Sequence, residues 1–101
     1  MTRTPDRIVV WSLHVVRTGG FAGLQREWRV SSADAPSVDW PTIVGACPWQ
    51  KSYPPAADRD RFVWRIEATS SRQTRTATLP ESAVTGPWRT LVDQVKSSAS
   101  D

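Results

Sequence analysis

Cysteine and histidine are scarce in this chain of 101 residues, which contains one of each. A single cysteine excludes an internal disulfide. A tetrahedral zinc site needs three or four ligands of this kind, so we expect no metal site. His14 lies in a strand-like segment and Cys47 on a helical face, and strand parity directs the histidine away from the helices. We therefore expect no Cys–His catalytic pair.

Other signatures of catalysis and targeting are also missing. No serine stands in a nucleophile-elbow pattern, and the glycines at 19–23 lack the lysine and the helix of a phosphate-binding loop. These absences predict a protein that is not an enzyme and that carries no cofactor. No apolar run reaches membrane-spanning length and no signal peptide is visible. We expect no membrane partner and a cytoplasmic location, with export by another route left open.

The composition is that of a small globular protein. Hydrophobic residues make up 39% of the chain and charged residues 23%, with six tryptophans and a formal net charge of +3. This length predicts a single domain with a modest core, which large aromatics help to fill. We place the domain at residues 7–96, with flexible tails at 1–6 and 97–101, and expect a monomer when the protein is free.

Apolar periodicity predicts four strands and two helices. Alternation indicates strands over residues 7–17, 24–31, 61–68 and 73–79, the last of them polar enough for a sheet edge. The i, i+3, i+4, i+7 spacing of a helix face occurs twice, in Trp40, Ile43, Val44 and Cys47 and in Trp88, Leu91, Val92 and Val95. Asp39 is placed to cap the first helix. The order strand-strand-helix, repeated, predicts an α+β fold: a four-stranded antiparallel sheet with both helices on one face.

A glycine-rich bend joins the first two predicted strands. Residues 18–24 hold three of the five glycines together with Phe21 and Leu24. The flanking strands make this a β-hairpin whose bend is longer than a two-residue turn requires. Glycines allow backbone conformations that other residues rarely adopt, and the tip they form carries apolar side chains. Such a tip suits either insertion into a partner or packing of Phe21 back onto the sheet, and the two roles are compatible.

This bend and several motifs downstream resemble the emfourin family, small proteins that inhibit thermolysin-like metalloproteases such as protealysin. The resemblance covers residues 8–96. It rests on an ordered set of motifs: Gly19-Gly20-Phe21-Ala22-Gly23, Trp40 with Ile43-Val44, Ala46-Cys47-Pro48-Trp49, Asp60-Arg61-Phe62-Val63-Trp64, Leu79-Pro80, and Thr85-Gly86-Pro87-Trp88-Arg89 followed by Leu91-Val92.

The resemblance implies an inhibitor whose hairpin loop enters the active-site cleft of a thermolysin-like, protealysin-type metalloprotease. The protease-binding residues expected from it are Gly19, Gly20, Phe21, Ala22, Gly23, Leu24 and Arg26. Leu24 is the candidate for the enzyme's apolar pocket, and Trp49 and Tyr53 are candidates for a second contact.

A different class of function competes with this one. Arg65, Arg72 and Arg75 would line the outer face of the sheet in a small regulatory or nucleic-acid-binding module. However, RNA-binding sheets carry aromatics on that face, and Phe62 and Trp64 share their parity with the predicted core. We therefore favour the inhibitor over nucleic-acid binding.

Overall fold

The predicted α+β architecture is confirmed. The computed structural model describes residues 10–19, 24–53 and 62–99. Four strands form one antiparallel sheet in the order β2-β1-β3-β4. In chain order the elements are β1 (Ser12–Gly19), β2 (Leu24–Ser31), α1 (Trp40–Gly45), β3 (Phe62–Thr69), β4 (Thr74–Pro80) and α2 (Pro87–Ser98). Short 3-10 turns, Ser32–Asp34 and Glu81–Ala83, follow β2 and β4.

One face of the sheet and both helices enclose a single apolar core. The inward positions of the central strands alternate with half-buried or exposed ones, so that Leu13, Val15 and Ile66 are almost completely buried. The helices add further core side chains: Trp40, Val44, Trp88, Leu91, Val92 and Val95. The opposite, open face carries mainly polar side chains along the described strands. This arrangement confirms the expected period-two and helical patterns.

Strand β1 differs from its predicted bounds because tertiary pairing decides where a strand ends. It runs to Gly19, two residues beyond the predicted 17, since its ladders with β2 and β3 both continue to that glycine. At its other end the ladder begins at Ser12. The Trp11 N–H is donated to Ser32 Oγ at 2.9 Å, and residues 7–9 lie outside the described residues.

Helix α1 begins where its capping signal indicates. Asp39 accepts the Thr42 N–H at 3.4 Å and the Thr42 hydroxyl at 2.8 Å, so it caps α1 as predicted. Helix α1 ends at Gly45, earlier than its apolar spacing suggested, although Cys47 remains buried beyond it. Helix α2 continues to Ser98, so that 97 and 98, assigned to a tail from the sequence, are helical. Across the described segments, neither helix is long and apolar enough to span a membrane.

Candidate functional site

The β1–β2 hairpin is paired on both sides of β1 at its glycine-rich end. Its ladder pairs Ser12 with Ser31 at one end and Gly19 with Leu24 at the other. Gly19 is also the partner of Phe62 in β3, so the base is three strands wide. Gly19 has a φ of 111°, a backbone conformation open mainly to glycine.

The structure describes only some of the loop residues that are predicted to bind a protease. Gly20, Phe21, Ala22 and Gly23 lie outside the described residues, and Leu24 is described through its backbone only. Their roles in binding a protease stay predictions. The described ladder places the two ends of that connection, Gly19 and Leu24, opposite each other at the hairpin base.

Arg26 belongs to a cluster of cations and aromatic rings on the helix-bearing face, next to the hairpin base. Its guanidinium carbon lies 5.2 Å from the centre of the Trp28 ring. Across the sheet, Arg17 pairs with Arg26 and with Trp64, and its guanidinium carbon lies 4.4 Å from the Phe62 ring centre. These distances are those of cation–π contacts.

Helix α2 supplies a further cation. Lys96 Nζ lies 5.4 Å from the Trp28 ring centre and 5.9 Å from that of Trp64, and the two indoles stack with 5.9 Å between centroids. We call the set Arg17, Arg26, Trp28, Phe62, Trp64 and Lys96 the cation–aromatic cluster. Sequence reasoning missed it, although Arg26 gave a signal: it occupies the apolar parity of β2, between Leu24 and Trp28.

Trp49 and Tyr53, predicted as a second protease contact, are half-buried against α2. The Trp49 indole N–H donates to the Val44 carbonyl at 2.7 Å, and its ring meets that of Trp88 edge-on at 4.9 Å. The Trp88 indole N–H donates to the Tyr53 hydroxyl at 2.7 Å. Both side chains thus hold the segment after α1 against α2, and their contact with a protease stays a prediction.

His14 lies on the open face, between two carboxylates. Its Nε2 is 2.8 Å from Glu27 Oε1, and its Nδ1 is 3.8 Å from Glu67 Oε1. Hydrogen bonds from His14 first, and then from Gln25 and Arg29, lower the pKa of Glu27 below its usual value. No group of three potential metal ligands occurs within the described ranges.

Cys47 lies in the core, on the other side of the sheet from His14. Its Sγ is within 3.5 Å of the Ile43 and Pro87 carbonyls. Burial raises the pKa of the thiol to about 11, so it is protonated at neutral pH. The two side chains are therefore separated by the sheet, which is the geometry that strand parity predicted.

The three arginines of the alternative reading do not line one face. Arg65 is exposed on the open face, where it pairs with Val16 and Thr78. Arg75 pairs with Ala68, a buried position of the helix-bearing face, and Arg72 lies in the β3–β4 turn. The expectation of an Arg-rich outer face is wrong because Arg65 and Arg75 have opposite parity across the β3–β4 register.

Comparison with known proteins agrees with the motifs in the sequence. The model of the family described as Emfourin matches residues 15–96. This span includes most of β1, the whole of β2, α1, β3 and β4, most of α2, and all six residues of the cation–aromatic cluster. No curated protein and no solved structure matches the chain. Since the family model covers most of the sequence, the chain belongs to the Emfourin family.

Proposed function

We propose that this protein inhibits a thermolysin-like zinc metalloprotease by inserting the loop at residues 19–24 into the active-site cleft. The observation that carries the proposal is the family match over residues 15–96. The family that this chain resembles consists of protease inhibitors rather than enzymes, so the proposed role is non-enzymatic. A cytoplasmic location stays a prediction.

The hairpin base supports this mechanism because it restrains both ends of the loop. The ladder holds Gly19 opposite Leu24, and β3 holds Gly19 from its other side through Phe62. A loop whose ends are already ordered loses less conformational entropy when it binds. In the proposal, Phe21 packs on the sheet and adds to this order.

Leu24 is the residue proposed to fill the enzyme's apolar pocket. It is the first residue of β2, so its backbone is held by the last pair of the ladder while it adjoins the glycine-rich loop. Burial of a leucine side chain contributes roughly 1.5–3 kcal/mol to binding. No residue is assigned to the enzyme's zinc, and inhibition results from exclusion of the substrate from the cleft.

A titration against thermolysin-like metalloproteases tests the proposal. Residual hydrolysis of a peptide substrate is measured with wild type, with Leu24→Ala and with Val10→Ala. Val10 is a matched control because it is 48% exposed and precedes β1 at the end of the sheet opposite the loop. We expect Leu24→Ala to raise the inhibition constant roughly tenfold to a hundredfold and Val10→Ala to leave it unchanged.

Two results would contradict the proposal at different levels. If no thermolysin-like protease is inhibited by the wild type, the function is wrong. If folded Leu24→Ala inhibits as well as Val10→Ala does, only the pocket assignment is wrong. A Phe21→Ala variant that unfolds at lower urea concentration than the wild type would place Phe21 in the support of the loop.

A further inference from the structure

Three cations converge on one half-buried indole, that of Trp28. The charged groups of Arg17, Arg26 and Lys96 lie 5.9, 5.2 and 5.4 Å from its ring centre. Arg17 and Arg26 are also directly opposite each other in the β1–β2 register. Like charges placed opposite each other across a sheet repel, so this arrangement favours an anion that lies among them.

The described part of the chain supplies no carboxylate to these three cations. Its ion pairs involve His14, Arg29 and Arg89 instead. Arg17 Nε is shielded from solvent and has no hydrogen-bond acceptor among the described residues. Within the described residues, the aromatic rings therefore contact the guanidinium groups, and no carboxylate forms an ion pair with them.

Among the described residues, two carboxylates that lie beside this cluster each have another partner. Glu81 accepts a hydrogen bond from the indole N–H of Trp64. Asp93 Oδ2 lies 3.3 Å from Nε of Arg89, which is one turn earlier in α2. Both of them line a cavity of about 150 Å³ together with Arg17 and Lys96. The Trp28 side of the cluster, where Arg26 and Lys96 are exposed, has no described acid beside it.

The cation–aromatic cluster lies close to the loop along both strands of the hairpin. Arg17 and Arg26 each lie two residues from the last pair of the ladder, Gly19 with Leu24. At about 3.3 Å per residue, this is roughly 7 Å along the strand. A partner whose cleft receives the loop would therefore bring the rim of that cleft against the cluster.

We propose that the Trp28 side of the cation–aromatic cluster binds an acidic segment on the rim of the partner's cleft. Arginine stacked on aromatic rings keeps N–H groups for bidentate bonds to a carboxylate, and Lys96 adds a third positive charge. The net charge of +3 also favours an acidic surface on the partner. This inference rests on the proposed function, and it identifies the chemistry of a second contact beside the loop.

The test compares two double variants that each remove two positive charges. Arg26→Gln/Lys96→Gln removes exposed charges from the cluster, and Arg29→Gln/Arg65→Gln removes exposed charges from the open face. We expect the cluster variant to weaken inhibition roughly fivefold at low salt, and the control variant to change it little. Raising the salt concentration should weaken the wild type more than the cluster variant. Circular dichroism verifies that all forms are folded.

A second arm does not depend on the protease. A hexaglutamate peptide is titrated into ¹⁵N-labelled protein, and the indole N–H resonances of the six tryptophans are followed. We expect the shifts to concentrate on Trp28 and Trp64 and to disappear in the Arg26→Gln/Lys96→Gln variant.

The outcomes separate the two proposals. If the wild type inhibits and both double variants inhibit equally well, the acidic-segment site is overturned and the inhibitor function stands. If no thermolysin-like protease is inhibited, the function is overturned and the peptide arm decides: shifts at Trp28 and Trp64 support the site as an acid-binding surface, and their absence overturns it.

Discussion

At the scale of single residues, Gly19 constrains the hairpin through its backbone conformation. It is the last residue of β1, it has partners on both sides, and its φ is 111°. Any other residue would have to hold a side chain in a conformation that L-amino acids rarely adopt. The glycine therefore decides how the chain leaves the sheet and enters the loop.

We predict that Gly19→Ala lowers the free energy of unfolding by about 1–3 kcal/mol, the usual cost of a strained backbone position. Gly45→Ala is the control, because Gly45 is helical and a Cβ there would have no neighbour within 4 Å. This control should be neutral or stabilising by up to about 1 kcal/mol. Urea denaturation followed by tryptophan fluorescence measures both changes, and equal effects of the two substitutions would contradict the role given to Gly19.

At the scale of elements, the helices differ in what stabilises them. Helix α2 has twelve residues and buries Trp88, Leu91, Val92 and Val95. Helix α1 has only six residues and buries two of them, Trp40 and Val44. A helix this short is not stable by propensity alone, so α1 depends on its cap and on its packing against the core.

We predict that Asp39→Ala destabilises the protein by about 1 kcal/mol, the typical cost of losing an N-cap. The substitution removes the acceptor for both the Thr42 N–H and the Thr42 hydroxyl. Asp39→Asn is the matched control, since asparagine caps helices about as well as aspartate does. The midpoints of urea unfolding distinguish them, and an Asn variant as unstable as the Ala variant would show that the charge of Asp39, rather than the cap, is what matters.

At the scale of the whole molecule, one core joins the sheet to both helices. Leu91 is fully buried in that core, within the same cluster as Trp40, Leu13 and Ile66. A cavity at this position would remove contacts that hold α2 on the sheet. Because α2 supplies Lys96 to the cation–aromatic cluster, the cluster depends on the same contacts.

We predict that Leu91→Ala costs about 2–5 kcal/mol of the free energy of unfolding, whereas Ser97→Ala, on the exposed side of the same helix, changes it little. Because the sheet and both helices share this core, the fluorescence of the tryptophans and the far-ultraviolet circular dichroism should report a single coincident transition. Separate transitions for the two signals would indicate that α2 and the sheet unfold independently.

Local patterns determined the elements and the faces they bury. Period-two alternation located β2 at residues 24–31, and helical spacing identified the buried side chains Trp88, Leu91, Val92 and Val95. The Asp39 cap followed from a short acceptor side chain before a helix. These features were predictable because each depends on residues within a few positions of one another.

Tertiary structure alone decided the features that involve distant parts of the chain. Register with two neighbours extended β1 to Gly19, and register also placed Arg65 and Arg75 on opposite faces of the sheet. Arg17, Trp28, Trp64 and Lys96 come from four different elements, and the fold brings them together. The hairpin, the apolar faces and the family motifs were predictable from the sequence, since short-range periodicity and residue order encode them. The surface beside the hairpin was decided by strand pairing and helix docking, because no local pattern specifies which cations meet which rings.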